Sequence, residues 1–230
     1  MHCDAVQTAG HMPIDVDELG VDLLTLTPHK FYGPKGIAAL YVRSGVEICP
    51  LLFGGGDERR LRVGTESVPL AVGMAVALEQ SNARIEERDA EWLPIRDAFI
   101  DGLTSRLGGV LLNGHPTERL ATNVNVSIVG VNGEDLVLLL DREGICASTG
   151  SACTTGKIEP SHVLLAIGRD REEALSALRL SFGDACRGLD VEWLIDTIVR
   201  IAERRRSIAP RRTYEYAFDV AARPLARRSA

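Results

Sequence analysis

Two short apolar runs near the start of the chain flank a loop that is rich in glycine, proline and charged residues. The runs are VDLLTLT at residues 21–27 and GIAALYV at residues 36–42, and the loop is TPHKFYGPKG at residues 27–36. Apolar runs of this length that are bounded by turn residues predict short buried strands. The loop therefore leaves the end of a strand, where rigid elements position functional side chains.

Helical and strand patterns continue along the rest of the chain. Ser67 and Pro69 begin an apolar pattern that runs past Glu91, which predicts one long helix, capped by Ser67, between two domains. Further strands are predicted in NVNVSIV at residues 123–129 and in the second half of LSALRLSFG at residues 175–183, and helices in GEDLVLLLDREG at residues 133–144 and DVEWLIDTIVRIAERRR at residues 190–206.

Strands that alternate with helices predict an α/β or α+β fold. The expected organisation is a first domain part at residues 1–66, a connecting helix at 67–110, a small C-terminal α/β domain at 111–206, and a basic, loosely packed tail at 207–230.

Composition adds few constraints to this picture. The 230 residues have a formal charge of -6 and are 45% hydrophobic, which is ordinary for a core-forming protein and gives no global reason to expect binding to nucleic acid or an anionic membrane. The start lacks the layout of a signal peptide and no long apolar window exists, so we expect a cytoplasmic protein. The arginine-rich tail either docks an acidic scaffold protein or is simply solvated.

The five cysteines do not have the spacing of a zinc site or of a disulfide framework. Packing is the simplest explanation for Cys3, Cys49 and Cys146. Cys153 differs because it lies in CASTGSACTTG at residues 146–156, a stretch of small and polar residues that predicts a mobile loop with an exposed thiol. Cys153 is therefore a candidate nucleophile.

Lys30 lies where a lysine could react with an aldehyde. A lysine whose ammonium is desolvated forms a Schiff base with a carbonyl compound, and Thr27 and His29 can offer a hydroxyl and a ring N–H to a neighbouring anion. A solvated lysine in a turn is the alternative.

Asp4 and Gln7, in HCDAVQ at residues 2–7, are a second set of polar candidates at a predicted strand end. A carboxylate can pair with a protonated ring nitrogen, and an amide can donate to a phenolate oxygen. A surface strand end is the alternative here, but the combination with Lys30 favours a site.

Four stretches occur in an order that one enzyme family shares. They are HCDAVQTAGHMPIDVDELGVDLLTLTPHKFYGPKGIAALYVR, GGGDERRLRVGTESVP, ASTGSACTTG and LRLSFG. Together they resemble the cysteine desulfurases of the NifS/IscS type, pyridoxal 5'-phosphate (PLP) enzymes of the class V aminotransferase group. The resemblance spans residues 1 to about 200 and implies part of the large domain of a fold type I, aspartate aminotransferase-like PLP transferase, followed by the small C-terminal domain.

The resemblance implies a role for each candidate residue. Lys30 would bond to the cofactor aldehyde and move the α-proton of L-cysteine, and Cys153 would take the sulfur as a persulfide and leave alanine. The cofactor would be held by Thr27 and His29 at its phosphate, by Asp4 at the pyridine nitrogen, by Gln7 at the phenolic oxygen, and by Thr65 from the other subunit of a homodimer. Arg179 would grip the substrate carboxylate.

The resemblance also implies a sulfur-acceptor or iron-sulfur scaffold protein as partner, for cluster assembly or tRNA thiolation, with no membrane and no direct nucleic acid contact. Members of the family are longer, and their N-terminal half supplies a ring-stacking histidine, a phosphate-binding turn and an asparagine. Two alternatives therefore stay open: a remnant that acts only through binding, and a selenocysteine lyase-like enzyme.

Overall fold

The structure, a computed structural model, describes residues 1–55, 61–149 and 159–208. Cys153 and residues 209–230 of the basic tail lie outside these ranges. The chain divides into two compact units, the first from Met1 to Ala90 and the second beginning at Glu91.

The first unit contains a three-stranded sheet formed by β1 (His2–Asp4), β2 (Leu23–Leu26) and β3 (Ala39–Val42). β1 and β2 are parallel, with Asp4 opposite Thr25, and β3 is antiparallel to β2. Because β1 and β2 run in the same direction, their carboxyl ends lie at the same edge of the sheet.

The expected strands are present, but they are only half-buried. Cys3, Leu24 and Tyr41 are aligned across the three strands and face an apolar cluster with Ala5 and Val21. The intervening residues point to the opposite face because side chains alternate along a strand, and Leu40 on that face is exposed. The prediction that both strands are buried throughout is therefore wrong.

Two helices follow the sheet where the sequence predicted one. α1 spans Val68–Ala83 and α2 spans Ile85–Arg106. The break follows Ser81 and Asn82, which are weak helix formers, and the hydroxyl of Ser81 bonds to the carbonyl of Phe31, 3.0 Å away. Ser67 occupies the N-cap position of α1 with Pro69 in the first turn, but its side chain makes no capping hydrogen bond.

The second unit contains a fully antiparallel sheet in the order β4, β5, β6, formed by Val110–Leu112, Asn123–Ile128 and Ala177–Ser181. Its remaining helices are α3 (Gly133–Arg142), α4 (His162–Ala166), α5 (Arg171–Leu175) and α6 (Val191–Ile208). The strands and helices that the pattern predicted in this half are confirmed.

One face of this second sheet carries the main core. Val124, Val126 and Ile128 alternate along β5 into a cluster that also includes residues of α2, α3 and α6, and Trp92 stacks on Phe182 with ring centres 5.9 Å apart. The opposite face is polar near Asn125, which lies opposite Arg179 in the sheet register.

Cys49 and Cys146 are exposed, so packing does not explain them, whereas Cys3 is half-buried. Cys146 follows Ile145 in an irregular segment, and Ile145 takes the buried position there. Within the described parts of the chain, no helix is both long and apolar enough to span a membrane.

Candidate functional site

Asp4 and the loop that carries Lys30 meet at one edge of the first sheet. Asp4 is the last residue of β1, and Thr27 directly follows the end of β2. Asp4 lies on the face opposite the apolar cluster and is exposed, and its Oδ1 accepts a hydrogen bond from the amide of Val6 at 3.0 Å. Its Oδ2 has no hydrogen-bond partner within the described residues, so one carboxylate oxygen is available to a ligand.

Gln7 lies in the turn that follows β1. The turn is closed by hydrogen bonds from the amides of Thr8 and Ala9 to the carbonyl of Ala5, at 3.1 and 2.9 Å, and the side chain of Gln7 is exposed. The fold therefore brings Gln7 to the same sheet edge as Asp4 and Thr27.

Thr27 is buried, and its hydroxyl fixes the neighbouring His29. The hydroxyl lies 3.1 Å from the carbonyl of Ile37 and 3.0 Å from Nδ1 of His29. A carbonyl only accepts, so the single hydroxyl proton goes to Ile37, and Nδ1 of His29 must donate to the hydroxyl oxygen. Nε2 of His29 can donate a hydrogen bond to an anion only if the ring carries a second proton, or if Thr27 donates to Nδ1 instead and the ring proton moves to Nε2.

Lys30 ends a short 3₁₀ turn, Pro28–Lys30, and its side chain is exposed. The turn is anchored by the next residue, Phe31, which is completely buried against Ala9 and Met74. The amides of Phe31 and Gly33 both donate to the carbonyl of Pro28, at 2.9 and 2.8 Å. A rigid turn therefore presents an accessible amine.

The sequence reasoning missed three residues whose side chains bind the backbone of this turn or of the segment next to His11. Nε2 of His11 lies 3.0 Å from the carbonyl of Lys30, Ser81 donates to the carbonyl of Phe31, and Arg88 donates to the carbonyl of Gly10. No local pattern signals these contacts, because they join residues that are 19, 50 and 78 positions apart. Burial lowers the pKa of His11 below its ordinary value.

Arg179 belongs to the second unit, where it lies on β6 and is half-buried. Its amide donates to the carbonyl of Ser148 at 2.6 Å, and the amide of Ser148 returns a bond at 3.1 Å. Ser148 precedes Cys153 by five positions in the sequence. The stretch that contains Cys153 thus begins beside Arg179.

Thr65 lies in the first unit, three positions before α1, and is exposed. Leu51, Leu52 and Phe53 precede it and are also exposed, as are three valines of α1. Thr65 and these apolar residues of the first unit are thus all accessible to solvent.

A protein-family model described as aminotransferase class-V matches residues 1–194. Among curated proteins, the chain is 49% identical over 215 residues to a cysteine desulfurase IscS of Methanosarcina thermophila and 45% identical over 209 residues to one of Dictyoglomus turgidum. These alignments cover 94% and 91% of the chain but 53% of each relative. The chain therefore spans about half the length of the curated relatives that it matches.

Solved structures agree with this result. A NifS-like protein superimposes with a TM-score of 0.77 at 34% identity, covering 88% of this chain and 52% of its own. A NifS-like protein from Rickettsia africae gives 0.78 at 29% identity, covering 88% of this chain and 53% of its own. The comparisons confirm the resemblance seen in the sequence motifs and the expected α/β fold.

Proposed function

The chain belongs to the class-V aminotransferase family, and from this membership we propose that it functions as a PLP-dependent cysteine desulfurase. In this proposal L-cysteine becomes L-alanine and its sulfur is transferred to Cys153. The observation that carries the proposal is the sheet edge to which the fold brings Asp4, Thr27, His29 and an accessible Lys30.

The polar groups at this edge fit PLP. Asp4 has a free carboxylate oxygen for a pyridinium nitrogen, Lys30 has an exposed amine for an aldehyde, and Nε2 of His29 has no partner within the described residues. Thr27 fits less simply, because its hydroxyl proton is already donated to Ile37. We infer that His29 contacts the phosphate through Nε2 when its ring carries a second proton, and that Thr27 orients His29.

Each candidate residue has a separate role in the proposed reaction. When it is bound, the cofactor withdraws electrons from the α-carbon of the amino acid. Asp4 would hold the ring nitrogen and stabilise a positive charge there. Gln7 donates its amide to the phenolic oxygen, Lys30 holds and moves the α-proton, and Arg179 binds the substrate carboxylate through its planar guanidinium.

Cys153 completes the reaction as the sulfur acceptor. Its thiolate forms an S–S bond to the sulfur of cysteine while the Cβ–S bond breaks, and the electron pair of the broken bond stays on carbon, where a proton completes the methyl group of alanine. Cysteine and an enzyme thiol thus give alanine and an enzyme persulfide, and no further oxidant or reductant is needed. The pairing of Ser148 with Arg179 supports this role, since it begins the cysteine-bearing stretch next to the proposed carboxylate-binding residue.

The proposal includes a homodimer in which Thr65 reaches the phosphate of the partner's cofactor. The exposed apolar residues of α1, which begins three positions after Thr65, support it. A sulfur-acceptor or iron-sulfur scaffold protein is the proposed partner, and a cytoplasmic location remains a prediction.

A second candidate function follows from the half-length match to the relatives. In that case the chain keeps the family's fold but acts only through binding. A selenocysteine lyase-like activity stays open as a variant of the first proposal.

The deciding experiment measures cofactor binding and alanine release with the full chain. We expect the wild-type chain to give a visible absorption band after PLP is added. The band should be lost in Lys30→Ala and kept in Lys35→Ala, which changes an exposed neighbouring lysine. With L-cysteine we expect alanine and a persulfide, both lost in Cys153→Ser and kept in Cys49→Ser, another exposed cysteine. A band without turnover, or no band at all, would reject the desulfurase activity for this chain and favour the binding candidate.

A further inference from the structure

His11 contacts the backbone of Lys30. Its Nε2 lies 3.0 Å from the Lys30 carbonyl oxygen. Because a carbonyl oxygen only accepts, the hydrogen of this bond is on Nε2. The fold brings this imidazole to the backbone of the residue whose amine is the proposed reactive group.

The other nitrogen of the ring fixes its protonation state. Nδ1 is buried and has no hydrogen-bond partner in the described parts of the chain, so a second proton there would be a buried donor without an acceptor. Burial is the largest cause that lowers the pKa of His11. The hydrogen bond to Lys30 raises this pKa, and of the two nearby charges on α2, Arg88 lowers it and Asp89 raises it. His11 is therefore neutral at pH 7 and makes one hydrogen bond, to Lys30.

The segment that carries His11 is itself held firmly. The buried side chain of Arg88 donates to the carbonyl of Gly10. Gly10 adopts a left-handed conformation with φ +74°, and a Cβ at this position would lie 2.8 Å from Cβ of Phe31. Only glycine fits such a close approach, so His11 cannot shift far from Lys30.

Lys30 and Phe31 each have their carbonyl bound by a side chain from a different element. Ser81 of α1 binds Phe31, whose buried ring would anchor the turn without further help. The bond from His11 is different because it acts on Lys30 itself. It restrains rotation of the peptide that follows the Lys30 Cα, and thus the direction in which the side chain leaves the turn.

We propose that His11 is a positioning residue that fixes the backbone of Lys30 and thereby the reach of its amine. The inference rests on the proposed function of Lys30. A reactive group that is displaced by about 1 Å loses a large part of its effectiveness, so one backbone bond at this residue has a consequence for the chemistry.

Two substitutions separate the parts of this inference. His11→Leu removes the donor and keeps comparable bulk, whereas His11→Gln keeps an amide N–H at about the position of Nε2 and cannot titrate. His162→Leu, the same change at an exposed histidine on α4, is the matched control. All variants are made in the full chain.

The first measurement needs no cofactor. Peptide-resolved hydrogen exchange in the turn after Lys30 should become about three- to tenfold faster in His11→Leu, the range expected for loss of one hydrogen bond. His11→Gln and His162→Leu should match wild type within about twofold. Unchanged exchange in His11→Leu would overturn the proposal whether or not the chain binds PLP.

The second measurement reports on Lys30. The PLP concentration that half-saturates the visible band should rise about three- to tenfold in His11→Leu and return to the wild-type value in His11→Gln. If neither the wild type nor any variant gives a band, the proposed function fails. The exchange result still shows whether His11 fixes the backbone of Lys30. A band that is equal in His11→Leu and wild type would show that the bond does not position the amine.

Discussion

The proton arrangement at Thr27 and His29 follows from one geometric fact. The Thr27 hydroxyl has a single proton, and the nearby carbonyl of Ile37 takes it. His29 must therefore donate through Nδ1. A buried threonine thus determines which way an exposed histidine presents its second nitrogen, so in the proposed function Thr27 acts on the phosphate through His29.

Replacement of Thr27 by valine removes the hydroxyl at nearly the same shape. We expect the first unit to lose about 1–2 kcal/mol of opening free energy, because the Ile37 carbonyl and Nδ1 of His29 both lose a buried partner. Hydrogen exchange in peptides from residues 21–42 measures this loss. Thr27→Ser keeps the hydroxyl and should lose less. Thr65→Val, the same change at an exposed threonine, should have little effect, and an equal loss there would refute the explanation.

The ionisation of His11 predicts how stability depends on pH. Its native pKa lies below the ordinary value of 6.5, so the unfolded chain binds more protons than the native chain at mildly acidic pH. Stability therefore rises with pH between the lowered pKa and about 6.5 and is unaffected by this group above it. We expect wild type to lose more opening free energy than His11→Gln when the pH falls from about 7.5 to about 5, measured by exchange corrected for its intrinsic pH dependence. Parallel profiles for the two proteins would contradict this.

The 3₁₀ turn and α1 approach each other so closely that one position requires glycine. A Cβ at Gly33 would lie 2.5 Å from Cβ of Pro28 and 2.9 Å from Cβ of Ala77 on α1. This contact joins the turn that ends at Lys30 to the helix that contributes Ser81. The position of Lys30 is thus set by the packing of the turn on a helix as well as by hydrogen bonds.

We expect Gly33→Ala to destabilise the first unit by about 1–3 kcal/mol, since overpacking forces the turn and α1 apart. Exchange should accelerate together in the peptides that contain the turn and in those of the middle of α1. Gly55→Ala is the matched control, because a Cβ there would meet no atom of the described residues within 4 Å, its chain neighbours aside, and its backbone is not left-handed. An acceleration confined to the turn would mean that α1 is not displaced.

Local sequence patterns predicted these elements well but not their contacts. Alternation and turn residues predicted β2, β3, β5 and β6, since each is a short apolar run with clear ends. The break between α1 and α2 was missed because no glycine or proline marks it, and it depends in part on a bond from Ser81 to a residue 50 positions away. His11 was missed for the same reason, whereas Lys30, Asp4 and Thr27 were proposed because their residue types stand at predicted strand ends.

The candidate residues of the whole molecule are divided between its two units. The first holds Lys30 and the groups around it, and the second holds Arg179, with Cys153 in the same part of the sequence. Both tryptophans, Trp92 and Trp193, belong to the second unit. Tryptophan fluorescence therefore reports on the second unit alone, and it would not detect unfolding of the first unit by itself. This is why peptide-resolved exchange is the measurement of choice for the Lys30 site.

The first unit also exposes an apolar surface that the proposed homodimer would bury. Val68, Val72 and Val76 recur every four residues on one face of α1 and are 65%, 57% and 45% exposed. An exposed apolar stripe of this kind typically marks an interface. Thr65, which the proposed function assigns to the partner's cofactor, lies directly before the helix. A second copy of the chain is therefore the expected occupant of the stripe.

Val72→Glu tests this assignment, because a glutamate in the centre of the stripe would have to be buried without a partner. We expect its dimer dissociation constant, measured by sedimentation equilibrium, to rise at least about tenfold above that of wild type. Val163→Glu makes the same change at an exposed valine on α4, in the second unit, and should leave association unchanged. If both variants associate as wild type does, or if wild type is monomeric at every concentration, the valine stripe is not a dimer interface and Thr65 loses its proposed role across it.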